Sequence, residues 1–280
     1  MTTSTSELIS GPWQVSNDAY HADRTAESHS TLEVFRESRP LFHRMYVEQT
    51  MPRPDPTAAM VFGSAFHCYL LEPELFERQY AVAPECDRRT KGGKAVWEGF
   101  VGGRGYGRTA LTKGQWELLV AMVKGVQANP YAAELLALHG PAEDAVRFRE
   151  PASGVWLKAK FDRRIGRLIV DLKTTDGVDP DSWSRTVDKW GYHRQAALYI
   201  DAAEHGLGRR YDHVHVACST SEPHECVVYR LGEASIELGR EEYLADVAAL
   251  ADCRQRDCWA SPRAGKWNHI ELPPWRFSRR

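Results

Sequence analysis

Residues 155–175 read V-W-L-K-A-K-F-D-R-R-I-G-R-L-I-V-D-L-K-T-T. Apolar and polar side chains alternate through 155–162, as in a strand with one face against a core. A tight connection containing Gly166 follows, and 168–173 resumes extended character with Leu168, Ile169 and Val170. Just upstream, Ala145-Val146-Arg147-Phe148-Arg149 alternates in the same way. Three such segments joined by short connections predict a β-meander.

Helical patterns surround the meander. Downstream, a helix is predicted over 189–205, strands near 211–218 and 225–231, and a long helix over 233–256. Upstream, a helix begins near Ser28, with Ser28 or Ser30 as N-cap and Leu32, Phe35 and Phe42 as its apolar positions. The proline-rich segment 51–59 reads as a connector to a helix over 58–71, which carries Met60, Phe62, Phe66, Tyr69 and Leu70 and ends before Pro73. Thr112 caps a further helix through Trp116, Leu119 and Val123, and a short one covers 131–138. Residues 84–110, rich in Gly, Lys and Arg, read as a mobile exposed stretch, and the first 25 as loosely packed apart from Trp13 and Val15. This order predicts an α/β fold, a central mixed β-sheet flanked by helices. It forms a single domain over 1–280: a mainly helical part, 1–140, a sheet core, 141–258, and a Trp- and Pro-rich tail, 259–280.

Composition narrows the class. With 280 residues, 42% hydrophobic and 26% charged, the chain can bury a sizeable core and is not disordered wholesale. No apolar run reaches the roughly eighteen residues a membrane span needs. The opening MTTSTSELIS lacks the basic start and apolar stretch of a secretory signal. A soluble, cytoplasmic protein is expected. The net charge of -2 excludes a uniformly basic polyanion binder but not a local basic track. Such clusters occur at Arg88, Arg89, Lys91 and Lys94, at Arg104, Arg108 and Lys113, and at Lys158, Lys160, Arg163, Arg164 and Arg167. Each alone is more often a solvated face. The six cysteines show no C-x-x-C spacing and read as free thiols.

The chemistry centres on 162–173. On a strand, Asp171 and Lys173 share a face while Leu172 points into the core. Asp162, nine positions earlier across the turn, lies on the neighbouring strand. Two carboxylates brought together there repel unless a cation lies between them. Carboxylates plus a backbone carbonyl are oxygen donors of the kind Mg²⁺ prefers. Such an ion polarises a phosphate and activates water, with Lys173 holding the water or offsetting developing charge. That combination suits phosphodiester hydrolysis, although Asp-x-Lys at a strand end is common by itself. On the predicted helix GYHRQAALYIDAA, Tyr192, Gln195 and Tyr199 fall on one stripe, which an ordinary amphipathic core helix also explains; His193 reads as exposed. His67, four residues after Gly63, is either a core histidine or a third ligand, with Gly63 letting its helix approach the sheet.

Together these stretches resemble the exodeoxyribonuclease VIII (RecE-type) branch of the PD-(D/E)xK nucleases. The likeness runs nearly end to end, through SNDAYHA, SHSTLEVFRESRPLFH, FGSAFHCYLLEPELFERQYAVAPECDRRTKGGK, WLKAKFDRRIGRLIVDLKTT, YHRQAALYIDA, ADCRQRDCWA and LPPW. The resemblance implies a restriction-endonuclease-like core with His67, Asp162 and Asp171 as side-chain metal ligands and Leu172 giving its carbonyl. Lys173 would be the catalytic lysine, and Gln195 and Tyr199 would orient the nucleophile or touch the phosphate. It further implies Mg²⁺, with Mn²⁺ substituting, and exonuclease action on linear double-stranded DNA from the 5′ end. The implied partners are DNA ends, a single-strand annealing protein (RecT-type) of phage-type homologous recombination, and further copies in a tetrameric ring. Arg88, Arg89 and Lys91, after the His67 helix, are the expected DNA guides. The best-known relative carries a very long N-terminal extension that does not appear here.

Three rival readings compete with this one. An iron-sulfur nuclease of the CRISPR-adaptation or helicase-associated kind needs four suitably spaced cysteines, which Cys218, Cys226, Cys253 and Cys258 fit poorly. An inactive DNA-binding scaffold usually loses an acidic or lysine position, and all are present. A zinc site from His213, His215 and Cys218 lacks a fourth ligand at typical spacing.

Overall fold

Strand alternation and helix caps in the computed structural model produce a six-stranded sheet between helical layers. The structure describes residues 9–273 and 276–277. Residues 1–8 of the opening MTTSTSELIS, and Pro274-Trp275 of LPPW, lie outside them. In chain order the elements are β1 (Gly11–Pro12), α1 (Asn17–Ala22), α2 (His29–Glu37), α3 (Arg39–Phe42), which runs into a π-helical turn at His43–Val47, α4 (Ala58–Leu71), α5 (Pro73–Gln79), β2 (Tyr80–Val82), α6 (Lys91–Val101), β3 (Thr109–Leu111), α7 (Lys113–Ala128) and α8 (Pro130–Ala137). There follow β4 (Ala142–Arg149), β5 (Trp156–Ile165), β6 (Leu168–Thr175), α9 (Pro180–Trp190), α10 (Tyr192–Leu207), β7 (Asp212–Ser219), β8 (Cys226–Tyr229) and α11 (Glu233–Arg256).

The main sheet runs β1-β4-β5-β6-β7-β8, and β2 pairs with β3 separately. The β4-β5-β6 meander is antiparallel, whereas β6 and β7 are parallel and connected through α9 and α10. The sheet is therefore mixed. One core joins Phe148, Leu157, Phe161 and Ile169 of the sheet to α2, α3, α10 and α11. A second joins Val170, Leu172, Val214 and Val216 to α4, α7 and α8. Successive residues of β6 thus feed opposite layers, as strand geometry requires.

Local chemistry accounts for the boundaries. Ser28 and Thr31 form a reciprocal capping box at α2, and Thr112 and Gln115 do the same at α7. Two regions differ from the sequence expectation. The 84–110 stretch is not irregular: Thr90 caps α6 through a bond from Gly93 N–H, Phe100 is buried, and β3 pairs with β2. The helix predicted over 189–205 is two helices. Gly191, at φ +66°, ends α9 and starts α10, a left-handed backbone that glycine adopts without steric cost.

The N-terminal part also packs more closely than its polarity implied. Residues Gly11 and Pro12 add an edge strand to β4, and Tyr20 of α1 is buried. His193, read as exposed, is buried where α11 lies on α10 at Gly239. A side chain there would collide with the His193 carbonyl (2.3 Å), and the imidazole contacts Glu242 at 3.2 Å. No helix among the described residues is long and apolar enough to cross a membrane.

Candidate active site

The β5–β6 ladder is short. It pairs Ile165 with Leu168, Arg164 with Ile169 and Arg163 with Val170, and goes no further. One step beyond stand Asp162 and Asp171, so both carboxylates fall where the strands part. There Asp162 Oδ2 accepts the Leu172 N–H at 2.7 Å, replacing a strand-to-strand bond. The backbone of the D-L-K segment and the Asp162 side chain are therefore locked together by the sheet itself.

Around that fork, His67 of α4 brings Nδ1 to 3.4 Å from Asp162 Oδ2. Lys173 places Nζ 2.5 Å from Asp171 Oδ2 and 4.8 Å from the centre of the Tyr192 ring. On α10, Gln195 Nε2 donates to Tyr199 Oη at 3.0 Å. His67, Asp162, Gln195 and Tyr199 line one cleft of about 320 Å³. Asp171, 1% exposed, and Leu172 are buried and do not line it. Gly63 is not demanded by close packing, since a Cβ there would meet Thr174 Oγ1 at an ordinary 3.5 Å.

Electrostatics tie the two pairs together. Burial disfavours the charged form of His67, but the Asp162 charge and hydrogen bond, with help from Asp171, lift its pKa above the ordinary value. Burial likewise opposes the Lys173 ammonium, and the charges of Asp171 and then Asp162 overcome it, so the lysine stays protonated. Each of these side chains thus feels both carboxylates. The donor set of one imidazole, two carboxylates and a strand carbonyl fits a hard divalent ion. Lys173 supplies compensating positive charge, and His67 adds to it where it is protonated.

Glu143 was not anticipated from sequence, and Lys160 was noted only as part of a basic cluster. Glu143, at φ +51°, is ion-paired with Lys160, and burial followed by the Asp162 charge raises its pKa. Both residues line the cleft. The signal for Lys160 was present, since 158, 160 and 162 alternate along β5. Glu143 precedes the clear alternation of β4 and gave none. A third departure concerns His213 and His215. Among the described residues, the donors lying within 4.8 Å of one another are those of Asp171, His213 and His215, not those of His67, Asp162 and Asp171. Cys218, grouped with these histidines from sequence, packs in the opposite layer, where its Sγ is 3.2 Å from that of Cys226.

His29, also at the cleft, allows a pH test. Burial lowers its pKa from 6.5 to about 4 against the opposing charge of Glu33. The unfolded chain takes up this proton first as pH falls. The stability is therefore intact above about 6.5 and lost progressively towards about 4. Urea midpoints measured at pH 7 and pH 4.5 should fall less for His29→Gln than for the natural protein.

A mixed sheet whose forked strands carry Asp162 and Asp-x-Lys defines the PD-(D/E)xK class. Residues 28–273 match the PDDEXK-like domain of unknown function (DUF3799), and the chain belongs to that family. It is also similar to a crystal structure from Eubacterium rectale of a protein described provisionally as an exonuclease. The TM-score is 0.61 at 13% sequence identity, covering 95% of this chain and 99% of the other. At that identity the likeness is one of fold. The curated proteins include no match.

Proposed function

We propose that the protein is a divalent-metal-dependent deoxyribonuclease that degrades linear double-stranded DNA from its ends. One observation supports this reading: Asp162 and Asp171 stand one step beyond the β5–β6 ladder, in contact with His67 and Lys173 respectively, near a cleft bearing Gln195 and Tyr199. His67, Asp162, Asp171 and the Leu172 carbonyl would hold Mg²⁺, or Mn²⁺ in its place. When bound, the ion would polarise the scissile phosphate and lower the pKa of an attacking water. The Lys173 ammonium offsets negative charge on the phosphate, a task for which its retained proton suits it. Gln195 and Tyr199, already bonded to each other, orient the water or a phosphate oxygen.

The finer assignments rest on the exodeoxyribonuclease VIII resemblance. They are 5′-to-3′ polarity, a tetrameric ring, and work beside a RecT-type annealing protein in recombination. Arg88, Arg89 and Lys91 are all exposed, with Arg88 over the Trp97 ring and Arg89 paired to Asp87, and we assign them to the DNA backbone. Replacing all three with Glu should weaken DNA binding and flatten its dependence on salt, because fewer counterions are released. Fluorescence anisotropy across a salt series measures this; an unchanged slope would remove them from the interface.

The reading is tested with end-labelled linear duplex and closed circular DNA, with Mg²⁺ and with chelator. Mononucleotides released from the linear substrate only, and only with metal, are expected. Nicking of the circle would make the protein an endonuclease, and an inert protein would be a binding scaffold.

A further inference from the structure

The parallel register of β6 and β7 sets Ile169 beside His213 and Asp171 beside His215. Alternate residues share a face, so both imidazoles point to the side of the sheet that carries Asp171. They are 4% and 0% exposed, and none of their four ring nitrogens has a hydrogen-bond partner among the described residues. Orphaned polar atoms this deep are uncommon and call for a partner. The two rings meet edge to face at 4.7 Å, and His215 Nε2 lies 3.7 Å from Asp171 Oδ2. Trp183, Tyr192 and Tyr199 wall the group with aromatic rings.

We infer that His213, His215 and Asp171 form a second cation site, which shares the Asp171 carboxylate with the proposed His67–Asp162–Asp171 position and takes a first-row transition ion such as Zn²⁺ or Mn²⁺ rather than Mg²⁺. Imidazole donors favour transition ions, whereas Mg²⁺ keeps to oxygen and sheds water reluctantly. All four ring nitrogens are buried and unpartnered, so each imidazole has a nitrogen to offer an ion. An ion here competes with Lys173 for the Asp171 carboxylate and loosens that contact. It thereby links occupancy of the buried site to the freedom of the lysine beside the cleft. The inference requires only the buried triad and holds whether or not the protein cuts DNA.

The test uses full-length protein stripped with chelator, equilibrated separately with Zn²⁺, Mn²⁺ or Mg²⁺ and desalted. Metal content is read by mass spectrometry and the melting midpoint by calorimetry. One retained equivalent of Zn²⁺ with a raised midpoint is expected, and none of Mg²⁺. The double variant His213→Leu/His215→Leu should lose both the equivalent and the metal-dependent rise. It should nevertheless melt no lower than stripped natural protein, since the orphaned nitrogens are gone. Should that variant fail to fold, His215→Gln should still lose the equivalent. Asp162→Asn should keep it. Retention by the histidine variants would move the metal elsewhere, for example to Cys218 and Cys226. Loss in Asp162→Asn would move it to His67. Either result, or no retained Zn²⁺ in the natural protein, would overturn the inference.

Discussion

Asp171→Ala should reduce Mg²⁺-dependent DNA hydrolysis to the level of the chelated natural protein, a loss of about 1,000-fold or more. The carboxylate stands at the fork where β5 and β6 part, and Lys173 is fixed to it at 2.5 Å. Its removal takes away a proposed metal donor and frees the lysine in one step. The substitution also strips a buried ammonium of its partner, which costs about 3–5 kcal/mol in comparable cases. The isosteric Asp171→Asn should therefore be assayed beside it, with circular dichroism to confirm folding. An Asn variant that folds and still cuts DNA at the natural rate would remove Asp171 from the chemistry.

Lys158→Ala should destabilise the protein by about 3–5 kcal/mol, read as a lower urea midpoint, without touching a proposed ligand. This lysine is 2% exposed, and its ammonium donates to the Tyr20 carbonyl at 2.8 Å, the Asp23 carbonyl at 2.9 Å and the Asp23 carboxylate at 3.1 Å. It pins the segment around α1 to β5. Truncation leaves a carboxylate and two carbonyls facing a cavity that a methyl group cannot fill. Because Asn17, Tyr20 and His21 form part of the cleft wall, the same change should open that wall and expose the N-terminal segment to protease. A natural midpoint would mean that the segment is held by its other contacts.

The meander was legible because its alternation is regular and its turn short, and the helices around Phe66, Leu119 and Leu198 were legible from their apolar periodicity. What escaped had physical reasons. Strand β1 is two residues long, too short to carry a pattern. Helix α6 opens Lys-Gly-Gly-Lys, a composition that argues against a helix until the Thr90 cap and buried Phe100 are known. The break at Gly191 was hidden because helical segments abut it on both sides with no intervening loop, and its positive φ separates them.

The site divides similarly. The placement of Asp162 and Asp171 on adjacent strands, one step beyond their ladder, followed from strand arithmetic, and the contacts with His67 and Lys173 lie beside them. The Asp171–His213–His215 group did not follow, because its two histidines lie on a parallel neighbour whose register against Asp171 no local pattern encodes. Cys218 was grouped with the histidines although it stands at the opposite parity, three residues from His215, and the sheet sends it to the other core.

Diffraction from crystals soaked in Mn²⁺, recorded for its anomalous signal, would locate the cation on which hydrolysis depends. A peak between the Asp162 and Asp171 carboxylates, within about 2.2 Å of an oxygen of each and within reach of His67, is the outcome these contacts require. A fully occupied crystal with no peak at the fork, and with the Lys173 ammonium still seated on Asp171, would contradict it.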